Sequence, residues 1–179
     1  AYVSDWKPNY ADYYRIDTRS GARTPVLVGH LRTLGLSPDS DHFLYWKNGD
    51  IWDYRTDEDR HVNLTENAPT DFTNQQFDRF GEKPPHGVAG YTADSNGIIL
   101  YDRYDVWYQS YDAGPAVNLT GGYGTEGEIR LRVVETDAET ETLDLDGPLL
   151  LEAYGEWTKK EGFFELDGRD LEEITWEDR

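Results

Sequence analysis

The chain has 179 residues, with 36 Asp plus Glu against 17 Lys plus Arg, and neither Cys nor Met. That length is one domain's worth of chain, enough to bury a sizeable core. A formal net charge of −19 repels nucleic acid and anionic membranes. The absence of Cys excludes a disulfide framework, a thiolate metal site and a Cys nucleophile.

In chain order, the first β-rich stretch is Tyr13-Tyr14-Arg15-Ile16-Asp17, followed by the turn Thr18-Arg19-Ser20-Gly21 and then Thr24-Pro25-Val26-Leu27. Two β-rich runs around a polar turn predict a strand pair over 10–28. Residues 31–65 hold an apolar strand, the turn Ser37-Pro38-Asp39-Ser40, the run Phe43-Leu44-Tyr45-Trp46 and the polar hairpin Lys47-Asn48-Gly49-Asp50. A strand opening at Ile51-Trp52 and a last short strand ending Asn63-Leu64-Thr65 follow. Residues 87–120 repeat that order: Thr92-Ala93-Asp94-Ser95, Ile98-Ile99-Leu100-Tyr101, Asp102 to Asp105, Val106-Trp107 and Asn118-Leu119-Thr120.

The two stretches align without a gap, residues 36–65 on 91–120, each position matching the one 55 further on. Asp39/Asp94, Ser40/Ser95, Asp50/Asp105, Trp52/Trp107, Asn63/Asn118, Leu64/Leu119 and Thr65/Thr120 are identical. Such internal similarity marks a repeat architecture, and four antiparallel strands per unit is the anatomy of a propeller blade. A further four strands are predicted over 129–176, at Ile129–Val134, Leu149–Ala153, Gly162–Leu166 and Leu171–Thr175. No stretch sustains a helical period. The expected fold is therefore all-β, a partial β-propeller of about three to four blades. Its parts are a half blade at 10–28 and blades at 31–65, 87–120 and 129–176. Two segments interrupt the repeat, Glu66 to His86 and the acidic stretch Glu135 to Gly147, and both are expected to run over the surface.

The blade residues resemble a known family. The Leu36-Ser37-Pro38-Asp39 turn, the Asp-Ile-Trp and Asp-Val-Trp strand starts at 50 and 105, and the Asn-Leu-Thr endings are similar to the N-terminal propellers of prolyl oligopeptidase-like serine peptidases. That family includes dipeptidyl peptidase IV and acylaminoacyl peptidases, and its blades are related to TolB-type repeats. The stretch from Pro84 to Thr120 with Gly121-Gly122-Tyr123-Gly124 behind it, Pro148–Leu151 and Gly162-Phe163-Phe164 most resemble bacterial members. The resemblance covers roughly residues 10–176. It implies a periplasmic or extracellular protein whose propeller gates and orients peptide substrates for an α/β-hydrolase domain in the same polypeptide. That domain would carry the Ser, Asp and His. Beginning at Ala1 without any Met, the chain reads as processed or as a piece of a longer protein.

None of Ser4, Ser20, Ser37, Ser40, Ser95 and Ser110 lies in a G-x-S-x-G elbow, the nearest context being Gly35-Leu36-Ser37-Pro38-Asp39. The chain alone is therefore expected to be inert, with no catalytic, cofactor-binding or metal-ligating residue and no cofactor. His30, His42, His61 and His86 have no metal-ligand spacing and read as isolated surface or strand residues. Asp137 to Asp146 reads as a solvated acidic loop without an EF-hand pattern. Asp50 and Asp105 recur per blade and read as hairpin residues. Too many carboxylates are present to single out a glycosidase pair. The Asn63 and Asn118 sequons coincide with the blade ending and read as structural. Trp6, Trp157 and Trp176 lie outside the repeat.

Two other functions remain open at this point: a stand-alone TolB-like scaffold for protein binding, and a carbohydrate-binding or glycoside-active propeller. The expected partners are peptide through the parent enzyme and the hydrolase domain in cis, with self-association through open blade faces. Nucleic acid is not expected, nor is a membrane span, since no apolar run approaches the ~18 residues needed. Dense carboxylates with 12 Arg against 5 Lys also resemble proteins of salt-loving organisms, where concentrated salt screens self-repulsion.

Overall fold

Alternating apolar and polar residues build strands, and Asp, Ser and Gly turns reverse the chain between them. In the computed structural model, which describes residues 9–135 and 142–178, nearly all regular structure is β. Strands β1 (Ala11–Ile16) and β2 (Arg23–His30) form a two-stranded antiparallel sheet. Strands β3 (Thr33–Leu36), β4 (His42–Lys47), β5 (Asp50–Arg55) and β6 (Arg60–Asn63) form an antiparallel meander of four. Strands β7 (Val88–Thr92), β8 (Gly97–Tyr101), β9 (Val106–Ser110) and β10 (Val117–Asn118) repeat it. After a one-turn helix, α1 (Tyr123–Gly127), come β11 (Ile129–Val133) and the two-residue strand β12 (Thr142–Leu143). Strands β13 (Leu149–Gly155), β14 (Glu161–Asp167) and β15 (Asp170–Glu177) then join β11 in the last sheet, ordered β11-β13-β14-β15. The fold is all-β, with one two-stranded and three fuller, propeller-like sheets and no closed barrel among the described residues.

The sheets stack face to face, and the period of two in a strand dictates how. All five residues of β8 are buried. Ile98 and Leu100 enter a core with Leu44, Trp46, Ile51 and Leu64 of the preceding sheet. Ile99 and Tyr101, on the opposite side, enter a second core with Leu131, Leu151 and Phe164 of the following sheet. Each fully buried aliphatic side chain contributes roughly 1.5–3 kcal/mol. Gly97 opens β8 because nothing larger fits: a Cβ there would lie 2.4 Å from the Gln109 carbonyl oxygen.

The first turn of each unit is built alike. Ser40 and Ser95 both adopt left-handed backbone, with φ of 67° and 57°. The side chains of Asp39 and Asp94 cap the turns by accepting from the N–H groups of Asp41 and Asn96.

The two interrupting segments are less superficial than expected. In the first, Phe72 is buried in the core between the second and third sheets, and Trp46 Nε1 donates to the Lys83 carbonyl at 2.7 Å. Its polar residues still line the surface at Glu66, Asn67, Asp71, Gln75 and Gln76, and at its tip Phe80 is fully exposed. In the acidic segment β12 pairs in parallel with β7, and Leu143 and Leu145 pack on the second core. An open sheet edge attracts any available extended chain, and β12 covers the β7 edge in this way. The rest of that acidic stretch, residues 136–141, lies outside the described residues.

Candidate functional site

The repeated residues come together as a clasp closing each full blade. In the first copy Asn63 Nδ2 and Thr65 Oγ1 donate to the two oxygens of Asp50 at 2.9 and 3.1 Å, while Ile51 N–H donates to Thr65 Oγ1 at 2.9 Å. The last turn is thereby tied to the start of the third strand. In the second copy Thr120 Oγ1 donates to Asp105 at 2.7 Å and accepts from Val106 N–H at 3.2 Å. Asp105 is completely buried and also accepts from Gly124 N–H, Thr125 N–H and Thr125 Oγ1, at 2.9, 3.0 and 2.6 Å. It therefore anchors α1, which has no side-chain cap of its own. The recurrence of Asp50 and Asp105 thus has a structural cause. Both sequon threonines are buried with their hydroxyls engaged.

The most chemically distinctive cluster lies at the seam between the β3–β6 and β7–β10 sheets. His42, Asp53 and Arg55 point to the same face, because His42 pairs with Arg55 in the β4–β5 ladder and Asp53 is two residues away. Asp53 has no solvent exposure. His42 Nδ1 meets its Oδ2 at 2.7 Å, and Arg55 Nε lies 3.4 Å from the same oxygen. Across the seam the Tyr111 ring stacks flat on His42, with centroids 3.5 Å apart, and the Arg55 guanidinium donates to the Tyr111 carbonyl. Burial, reinforced by the Asp53 charge, pushes the Tyr91 hydroxyl up to about 12, and burial raises Tyr111 as well. Among the described residues Asp53 Oδ1 and the Tyr91 hydroxyl have no hydrogen-bond partner.

A groove of about 560 Å³ opens beside the cluster, between His42, Arg55, Ser95, Tyr108 and Asp112. Partnered on Asp53, the His42 ring is held as a general base would be, yet no hydroxyl is presented to it. Ser37 Oγ donates to Asp39 and accepts from His42 N–H, and Ser110 Oγ accepts from Asp112 N–H. Among the described residues no serine hydroxyl bonds a histidine ring. The cluster as it stands ties two blades together.

A second polar node ties the middle sheet to the last. Asp102 accepts from Trp107 Nε1 at 2.9 Å, Thr70 Oγ1 at 3.1 Å and the N–H groups of Tyr104 and Asp105. Arg132 donates to the Asp102 and Arg103 carbonyls and lies over the Tyr101 ring, 4.4 Å from its centroid. Burial lowers Arg132 to about 10. His86 is held below the usual histidine value by its burial and then by the Arg132 charge. Arg103 reaches across to Glu156 at 2.6 Å.

Three of the four histidines are strand residues as expected, His30 on β2, His42 on β4 and the exposed His61 on β6, but their rings are engaged. His42 and His86 sit in these two nodes, His61 bonds the Tyr45 hydroxyl at 3.0 Å, and the His30 ring stands edge-on to Tyr45. Trp176 packs on Phe164, Trp157 is exposed, and Trp6 lies outside the described residues. Of the acidic stretch from Asp137 to Asp146, the described part includes a turn in which Asp144 accepts from Asp146 N–H. No group of three potential metal ligands occurs among the described residues. No protein-family model matches the chain, and no curated protein matches it.

Proposed function

We propose that this chain is a non-catalytic propeller segment of a prolyl oligopeptidase-like serine peptidase, acting outside the cytoplasm. In this reading the blades gate and orient peptide substrates for an α/β-hydrolase domain of the same polypeptide. One observation carries it: the residues on which the resemblance rests are those that hold the blade together. The Asp39 and Asp94 turns and the Asp50–Thr65 and Asp105–Thr120 clasps occupy equivalent places in two successive sheets. The conspicuous polar side chains serve as ties within and between blades, which suits a part that shapes access and leaves bond cleavage to another domain.

The test has two arms. The isolated chain, treated with a fluorophosphonate probe and assayed on short peptides, is expected to show neither labelling nor turnover. Serine-directed labelling overturns the non-catalytic assignment. The coding sequence downstream of Arg179 is expected to encode a G-x-S-x-G elbow in an α/β pattern. A stop codon shortly after Arg179 overturns the peptidase assignment and leaves the stand-alone scaffold.

A further inference from the structure

The first sheet has two strands where the next has four, and the internal repeat identifies which two it has. Arg55 of β5 donates to the carbonyl of Tyr111, across the seam to the following sheet. Arg15 of β1 donates to the carbonyl of Thr56, across the preceding seam. Thr56 and Tyr111 are repeat-equivalent positions, 55 residues apart. Arg15 thus does for the first seam what Arg55 does for the second, and β1 occupies the third-strand place of a blade.

In complete sheets that place is paired on both sides, β5 between β4 and β6, and β9 between β8 and β10. Among the described residues β1 is paired only with β2. Its burial differs accordingly: β9 is largely buried, while β1 alternates between exposed and part-buried.

A groove lies where the other two strands would pack. It measures about 520 Å³, is mainly apolar, and is lined by Tyr13, Val26, Leu36, Phe43 and Tyr54 among others. Phe43 is the repeat equivalent of Ile98. Ile98 is 0% exposed, sealed in the core that Leu44 and Trp46 of the β3–β4 hairpin complete. Phe43 is only part-buried, and Leu36 beside it is 49% exposed. The missing element is thus a hairpin that presents Leu44- and Trp46-like side chains.

We infer that the free edge of β1 and this groove take up a two-stranded hairpin with the side-chain pattern of β3–β4. The occupant is a further inner-strand pair of the same repeat, supplied by the parent protein, and it completes the first sheet to four strands. Recognition is by strand addition: ladder hydrogen bonds along β1 give affinity, and alternate side chains filling the groove give specificity. This rests on the blade reading above but not on the peptidase assignment.

The test uses the 179-residue chain and, as probe, a synthetic peptide of its own residues 31–47. One-to-one binding is expected, with slowed amide exchange confined to residues 11–16 and the groove. A peptide carrying Leu44→Asp should bind at least tenfold more weakly. The chain variant Leu36→Asp, whose substitution sits at a half-exposed position, should lose binding to a similar degree while keeping its circular dichroism. No binding, equal binding of the Leu44→Asp peptide, or protection elsewhere overturns the proposal. So does a chain that already dimerises through this groove in sedimentation, because a second copy would then be the occupant. Failure of the hairpin to bind leaves the fluorophosphonate and downstream-sequence results untouched, and the reverse also holds.

Discussion

The two clasps share their residues but not their surroundings, so the same substitution should cost different amounts in each. Asp105→Ala removes the acceptor for two hydroxyls and for the Gly124 and Thr125 N–H groups. The hydroxyls can turn to other acceptors, whereas the two backbone donors are fixed at the start of α1. Gly124 N–H is buried and costs about 1–3 kcal/mol when left unpaired, whereas Thr125 is exposed and water can reach its N–H, so Asp105→Ala should lose about 2–3 kcal/mol. Asp50→Ala strands only the Asn63 amide and the Thr65 hydroxyl, at a part-exposed position that water reaches. Its expected loss is about 1 kcal/mol. Asp105→Asn keeps the shape but turns an amide donor toward donors, and about 2 kcal/mol is expected. Urea unfolding followed by Trp fluorescence, at one fixed salt concentration, measures all three. Equal losses at Asp50 and Asp105, or a larger loss at Asp50, would refute the assignment of Asp105 as the anchor of α1.

Gly124→Ala should lose about 1–3 kcal/mol in the same assay, because its Cβ would lie 2.8 Å from the carbonyl oxygens of Ile129 and Tyr104; a neutral result would show that α1 can lift away freely. Tyr91→Phe removes a hydroxyl without a hydrogen-bond partner among the described residues and is expected to leave stability unchanged or raise it by up to about 1 kcal/mol. A clear loss would mean that the hydroxyl is satisfied in solution. His86 binds its proton less readily folded than unfolded. Its contribution is therefore fully present above the ordinary histidine value of 6.5 and is lost as pH falls through that value toward the lower folded one. His61 is shifted in the same direction, also by burial. His86→Gln should flatten the fall in urea midpoint between about pH 7.5 and 5.5, and an unchanged slope would count against the buried neutral histidine.

The strands of the full blades were legible because the repeat reports each one twice. A run ambiguous on its own, such as Phe43–Trp46, is disambiguated by Ile98–Tyr101 at the same offset. The clasp was legible in part: recurrence marked Asp50 and Asp105 as structural, but the docking of α1 on Asp105 has no counterpart in the first copy to reveal it. A single turn of helix has no period to detect, and β12 forms because an edge is available rather than through β propensity.

The His42–Asp53–Arg55 seam escaped notice because a search for repeated residues passes over it: Gly97, Tyr108 and Ser110 stand at the equivalent positions. A signal was nevertheless present. In the strand Asp50-Ile51-Trp52-Asp53-Tyr54-Arg55, Asp53 and Arg55 share the parity of the inward-facing Ile51. A poor β-former on a core face of a strand asks for a buried partner.

The burial of every residue of β8 bears on how the molecule comes apart. A sheet apolar on both sides is stable only between two neighbours, as in other stacked-repeat architectures. The end sheets have one neighbour each among the described residues, and both leave apolar side chains exposed, Phe163 beside Glu152 on the last and Tyr14 and Val28 on the first. Opening should therefore start at the two ends and reach the middle sheet last. On this view the β7–β10 unit sets the global unfolding free energy, while the flanking blades can loosen and re-form around it.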